Sequence, residues 1–215
     1  MATNPLLELR ALGQSVWLDD LHRAMLEDGS LELMIREDGL RGQTSNPAIL
    51  AAAITRRPEY ADALTALLGT GLDALGVYEA LALEDVGRAA DLFRPVYEET
   101  GGRDGYVSIE VSPHLAHDTV GTIAEARRLW RALGRENVMI KIPGTIAGLE
   151  AIRSAISEGI NVNVTLLFSP ERYREVADAY CAGLEDRLAR GERIDRPASV
   201  ASFFLSRIDT LVDRR

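Results

Sequence analysis

Six short apolar runs recur along the chain, and each one finishes in a polar side chain of a chemically useful type. Ser15-Val16-Trp17-Leu18 leads to Asp19, and Leu40-Arg41-Gly42-Gln43-Thr44-Ser45 leads to Asn46-Pro47. Tyr106-Val107-Ser108-Ile109 runs into Glu110, and Val138-Met139-Ile140 carries Lys141 ahead of Ile142-Pro143-Gly144-Thr145. Ile160-Asn161-Val162-Asn163-Val164-Thr165 sets Asn161, Asn163 and Thr165 on one face, because successive side chains of a strand alternate. Ala201-Ser202-Phe203-Phe204-Leu205-Ser206-Arg207 is the sixth run. The pattern predicts strands near residues 15–19, 40–46, 105–111, 137–143, 160–167 and 199–206.

Helical patterns separate these runs. Residues 1–14 read as a short helical extension, and a helix through Leu21, Met25 and Leu26 should reach Gly29. From about 47 to 100 no strand is evident; Pro58, Gly69, Gly71 and Gly76 break an Ala/Leu-rich stretch into several helices. Leu81, Val86, Ala89, Ala90 and Phe93 have the spacing of a buried helix face there. A helix over Thr119–Leu133 carries Val120, Ile123, Ala124, Leu129, Trp130 and Leu133 as its apolar stripe, with Gly134 suited to the C-cap. Ser169-Pro170 reads as an N-cap followed by proline at the first helical position. That helix should bury Tyr173, Val176, Ala177, Tyr180 and Leu184 and stop at Gly191.

Strands alternating with helices predict an α/β fold with a parallel sheet. Polar groups collected at the carboxyl ends of many strands are the pattern of a (β/α)8 TIM-barrel active site. Six βα units are countable in residues 1–215, so a single, incomplete barrel domain with a helical insertion at about 47–100 is expected. An incomplete barrel leaves strand edges unpaired. The expectation is therefore a homo-oligomer that completes the barrel by sharing elements, or a fragment of marginal stability.

With 215 residues, 47% of them hydrophobic, the chain is long enough for one domain with a sizeable core. Its net charge of −9 argues against general nucleic-acid binding. No apolar run approaches the roughly 20 residues of a membrane helix, and the amino terminus lacks a secretory pattern, so a cytoplasmic protein is expected. The one cysteine, Cys181, excludes an internal disulfide and reads as a small buried hydrophobe.

A lysine inside an apolar strand must be neutralised, paired or used, because an isolated ammonium out of water is unfavourable. Lys141 is either the partner of a neighbouring carboxylate or an amine poised to attack a carbonyl and form a Schiff base. His114 and His117 have the spacing of two metal ligands, but Pro113 and the loop around them argue against a metal pair. No Gly-rich phosphate loop is present.

The segments Gln43-Thr44-Ser45-Asn46-Pro47, Val138 to Thr145, and Ile160 to Ser169 resemble the signatures of the transaldolase family, in the version with a longer amino-terminal segment. The likeness runs from about Asn4 to the last residue, with three motifs in the right order. It implies transfer of a dihydroxyacetone unit from a ketose phosphate to an aldose phosphate, with no metal and no cofactor. Lys141 matches the Schiff-base lysine, and Glu110 and Thr165 match the pair that moves protons through a bound water. Asp19 matches the carboxylate that takes the hydroxyl proton during carbon–carbon cleavage, although Asp20 is adjacent and a helix N-cap is the competing role. Asn46 and Asn163 match the holders of the substrate hydroxyls, with turn chemistry before Pro47 as the alternative for Asn46. Ser202 and Arg207 match the phosphate side, with a surface ion pair as the alternative for Arg207. Transaldolases of this type continue through two more strands. A shortened homologue that makes a longer ketose phosphate, or an inactive barrel acting as an assembly partner, are therefore alternatives.

Overall fold

A computed structural model describes residues 4–214. It divides into two compact units, Met1–Ile109 with Leu133–Val138, and Glu110–Ala132 with Met139–Arg215. Both have α/β architecture, and the described residues hold six βα units, those of an incomplete β/α barrel.

In the first unit, helix α1 (Pro5–Ala11) precedes strand β1 (Trp17–Leu18), and short helices α2 (Arg23–Glu27) and α3 (Ser30–Leu33) follow it. A π-helical turn over Met34–Asp38 leads to β2 (Gly42–Thr44), and β3 (Tyr106–Glu110) completes the strand set, its last residue belonging to the second unit. β1 pairs with β2, and β2 with β3, all parallel. Trp17 is level with Gly42, and its indole lies over that glycine, where any Cβ would collide with the ring. A side chain at 42 would therefore push β1 away from β2. The Asn137 amide, 1% exposed, donates to Ala90 O at 2.8 Å and to Gly105 O at 2.9 Å, which ties the segment ahead of β3 to the helical layer.

Between β2 and β3 lie α4 (Pro47–Arg56), a 3-10 turn at Pro58–Tyr60, α5 (Ala61–Leu68) and the 26-residue α6 (Ala74–Glu99). Leu81, Val86, Ala89, Ala90 and Phe93 are all buried, as their spacing predicts. Gly76, expected to break a helix, instead lies in the first turn of α6, where its N–H donates to the Asp73 N-cap. Pro95 sits inside the same helix.

The second unit contains α7 (Thr119–Leu133, whose last residue belongs to the first unit), β4 (Val138–Pro143, entered from the first unit at Val138), α8 (Ile146–Ser157), β5 (Val162–Leu167), α9 (Pro170–Ala189), β6 (Ser199–Phe203) and α10 (Leu205–Asp213). β4, β5 and β6 are parallel neighbours in chain order. All six residues of β4 are buried, the mark of a parallel strand covered on both faces.

Three packing expectations are corrected. The buried stripe of α7 is Thr122, Ala126, Leu129 and Leu133, and Val120 is 78% exposed; residue 120 lies about 200° around the helix from 122. Within α9 the fully buried positions are Val176 and Gly183, and Tyr173 is exposed. The reason is a close helix crossing: a Cβ on Gly183 would meet Arg153 O at 2.7 Å, so α9 approaches α8 through the glycine rather than through its aromatics. Cys181, two residues earlier and on another side of the helix, is exposed rather than buried.

Candidate active site

In the second unit the strand register assembles a row of polar groups in an apolar surround. Lys141 on β4 is level with Asn163 on β5, and Pro143 with Thr165. Parallel in-register neighbours project to the same face of a sheet, so Lys141, Asn163 and Thr165 share it. All three are buried, at 4%, 1% and 1% exposure. The strand residues between them, Ile140, Ile142, Val162 and Val164, are fully buried apolar side chains. Glu110 joins the row from the end of β3: its Oε2 is 3.7 Å from Lys141 Nζ, and Val111 N–H donates to Lys141 O. The Ser202 hydroxyl on β6 donates to Asn163 Oδ1 at 2.8 Å.

Directly after Thr165, Leu166 has φ +61°, the single left-handed non-glycine residue among those described, and the β5–β6 register shifts between Val164 and Leu167. This is a β-bulge, which changes the direction of a strand and re-aims the side chains around it. Gly144 N–H donates to Thr165 O at 2.8 Å, fixing the carbonyl side of the same residue. Thr145 then caps α8: its Oγ1 accepts from Gly148 N–H at 2.9 Å and donates to Ala116 O at 2.6 Å.

Arg207, in the first turn of α10, is exposed and stacks over the Phe204 ring at 4.6 Å, and Phe204 in turn stacks on Phe168 with centroids 5.5 Å apart. It makes no ion pair among the described residues.

In the first unit Asp19 follows β1 directly and is exposed. It caps no helix; the residue before α2 is His22. Asp20 is the more constrained neighbour, because the Gln43 amide donates to its carbonyl at 2.7 Å. Gln43 is fully buried, and its Oε1 has no hydrogen-bond partner among the described residues. Asn46 follows β2 and caps α4, its Oδ1 accepting from Ala48 N–H at 2.9 Å and Ile49 N–H at 3.4 Å. The acceptor of Asn46 is thus committed to the helix, and only its amide N–H groups remain for a ligand.

Sequence reasoning passed over one buried polar cluster. The Arg23 guanidinium donates to Asp85 Oδ1 at 2.9–3.0 Å, and its Nη2 also donates to Glu84 at 2.8 Å. Tyr60 Oη donates to Asp85 Oδ2 at 2.7 Å and accepts from Arg23 N–H at 2.9 Å. Burial pushes the Asp85 carboxyl up, opposed by the Tyr60 hydroxyl and the Arg23 charge. Burial, reinforced by Asp85, pushes the Tyr60 hydroxyl up. The cluster anchors the start of α2, four residues after Asp19. The signal available in sequence was a charged residue, Asp85, within the apolar face of α6.

A family model for transaldolase/fructose-6-phosphate aldolase matches residues 16–215. A transaldolase of Trichodesmium erythraeum is 55% identical over 99% of this chain and 56% of its own length. Transaldolase 2 of Nostoc punctiforme is 53% identical over 98% of this chain and 55% of its length, and a transaldolase of Thiobacillus denitrificans is 50% identical over 96% and 57%. The chain spans about half the length of the curated relatives it matches. At that identity, and over nearly the whole chain, it belongs to the transaldolase/fructose-6-phosphate aldolase family.

Proposed function

We propose that this chain carries the Schiff-base centre of a transaldolase, which moves a dihydroxyacetone unit from a ketose phosphate to an aldose phosphate. The observation that supports this best is the buried Lys141–Glu110 pair at 3.7 Å beside Asn163 and Thr165. In this reading the neutral amine of Lys141 attacks the ketose carbonyl, and the carbinolamine loses water to give a protonated imine. Glu110 and Thr165 pass the protons, Glu110 taking one from the ammonium and returning one to the leaving hydroxyl.

Asp19 then accepts the hydroxyl proton next to the bond that breaks, and the bonding pair flows into the imine to leave an enamine on Lys141. The enamine attacks the acceptor aldehyde, and hydrolysis of the new imine restores the amine. The protonated imine is the electron sink, so this sequence of steps requires no metal or cofactor. Asn163 and the free N–H groups of Asn46 orient the hydroxyls of the three-carbon unit. Ser202 and Arg207 receive the phosphate, Arg207 being held for that role by its stack on Phe204. The roles of Asp19 and Asn46 rest on family likeness. Placement in the cytoplasm, and a homo-oligomer that completes the barrel, belong to the same proposal.

Borohydride reduction in the presence of fructose 6-phosphate tests it. A reduced three-carbon adduct mapped to Lys141 is the expected result. A folded protein that yields no adduct, or one mapped to the amino-terminal amine instead of Lys141, would end the Schiff-base reading for this chain.

A further inference from the structure

The first unit has a second constellation of charge, at the opposite ends of its strands from Asp19 and Asn46. Ser15 precedes β1, Arg41 precedes β2 and Asp104 precedes β3, and all three line a cavity of about 420 Å³. Arg41 is the unusual member. Its side chain is 5% exposed, and its one ion-pair partner among the described residues, Glu99, lies 3.9 Å away, too far for a hydrogen bond. Glu99 is itself 66% exposed and shared with Arg10, also at 3.9 Å. The main chain of Arg41 is pinned on both sides, its N–H donating to Val16 O at 2.9 Å and its carbonyl accepting from Gly105 N–H at 2.7 Å. Arg41 is a rigidly placed, largely buried guanidinium with five donors that lines the cavity, and an acceptor bound there would satisfy them.

Two more guanidinium groups, Arg10 and Arg103, line the same cavity. Of its two carboxylates, Asp104 is engaged with the Ser15 hydroxyl at 2.5 Å, and Glu99 makes two long ion-pair contacts among the described residues. An anionic oxygen cluster fits this arrangement, because a guanidinium fork matches phosphate oxygens and three guanidiniums against two carboxylates leave the lining net positive. The volume exceeds that of a bare phosphate and falls in the range of small-metabolite sites.

We propose that this cavity is a binding site for a phosphate group carried by a small molecule, with Arg41 as the buried anchor and Arg10 and Arg103 closing on it from the surface. Its position at the amino-terminal ends of β1–β3 makes it a site for an effector, independent of the Schiff-base reading.

Titration calorimetry with inorganic phosphate, glucose 6-phosphate and glucose tests this on the full chain carrying Lys141→Met, which prevents turnover. The expected result is saturable binding of the two phosphates and none of glucose. In a background that also carries Arg207→Gln, which removes the phosphate contact of the proposed active site, affinity should fall about tenfold or more in Arg41→Gln and in the Arg10→Gln/Arg103→Gln double variant. The double variant alters exposed side chains, so it serves if Arg41→Gln fails to fold. Tighter binding of glucose 6-phosphate assigns the site to a sugar phosphate, and equal binding assigns it to free phosphate; either supports the proposal. Absence of phosphate binding at millimolar concentration in the Arg207→Gln background, or binding there that survives the double variant, overturns it.

Discussion

Lys141 Nζ and Glu110 Oε2 lie 3.7 Å apart, with side chains 5% and 14% exposed, on neighbouring strand ends of one compact unit. The pair reconciles two readings that looked like rivals. A buried ammonium must have a counter-charge in the resting protein, and the group that supplies it is the one to which the proposed mechanism gives the proton transfers. An ion pair and a catalytic pair can be the same two residues at different stages.

Glu110→Gln should therefore leave the fold intact and slow imine formation by about 10² to 10⁴-fold, the usual range for losing one acid–base group. The time course of borohydride-trappable adduct, rather than its final yield, is the readout. An unchanged rate would remove Glu110 from the proton path.

Asn46 separates into two halves that different substitutions isolate. Asn46→Ala removes the α4 cap and should lower stability by about 0.5–2 kcal/mol. Asn46→Asp keeps the capping oxygen while replacing the amide donor. It should melt near the wild type yet bind the ketose phosphate more weakly. Equal substrate binding by Asn46→Asp and wild type would leave the residue as a cap alone.

Asp85 is fully buried between Arg23 and Tyr60. Asp85→Ala strands the Arg23 charge and should cost about 3–5 kcal/mol in denaturant unfolding, whereas Tyr60→Phe should cost about 1–3. The double variant should fall short of the sum, because both act through one network. Strict additivity would contradict the cluster.

Leu166 holds a left-handed backbone at the bulge, which disfavours an L side chain by about 1–2 kcal/mol. Leu166→Gly should keep or raise stability, and the β-branched Leu166→Val should lower it. Chemical denaturation of the two variants orders them, and the reverse order would place the strain elsewhere.

Arg135 holds Asp91, Arg127 holds Glu158 and Arg153 holds Asp186 below the ordinary carboxylate range, in each case chiefly by hydrogen bonding to the carboxylate. A depressed folded value means that the unfolded chain takes up the proton first. Their contribution is complete above roughly pH 5, where the unfolded carboxylates are ionised, and is lost as pH falls through the depressed folded values. Melting temperature should decline across that window, with a smaller decline in high salt because these pairs are largely exposed. A flat profile would mean that the three pairs contribute nothing measurable.

All six strands lie within the runs read from sequence, because apolar stretches punctuated by Pro, Gly and Asn carry their own boundaries. Lys141, Asn163 and Thr165 were legible as site candidates for the same local reason: polar side chains interrupt apolar strands at an alternating period. The buried face of α6 was equally plain, its spacing being repeated over many turns.

What the sequence by itself determined, then, was which segments extend, which coil, and which polar residues stand at strand ends. Only the tertiary structure decided which of those polar groups meet. Strand register set Lys141 level with Asn163, and the end of β3 brought Glu110 within 3.7 Å. Helix crossing decided burial in α9, where a single glycine outweighed an aromatic stripe, and left Cys181 exposed. Asp85 stood out as a charge within the apolar face of α6, but its pairing with Arg23, and the weak pairing of Arg41, could not be read from sequence for one reason. Whether a charge is buried, and what lies opposite it, depends on residues distant in the chain, and local pattern carries no record of that distance.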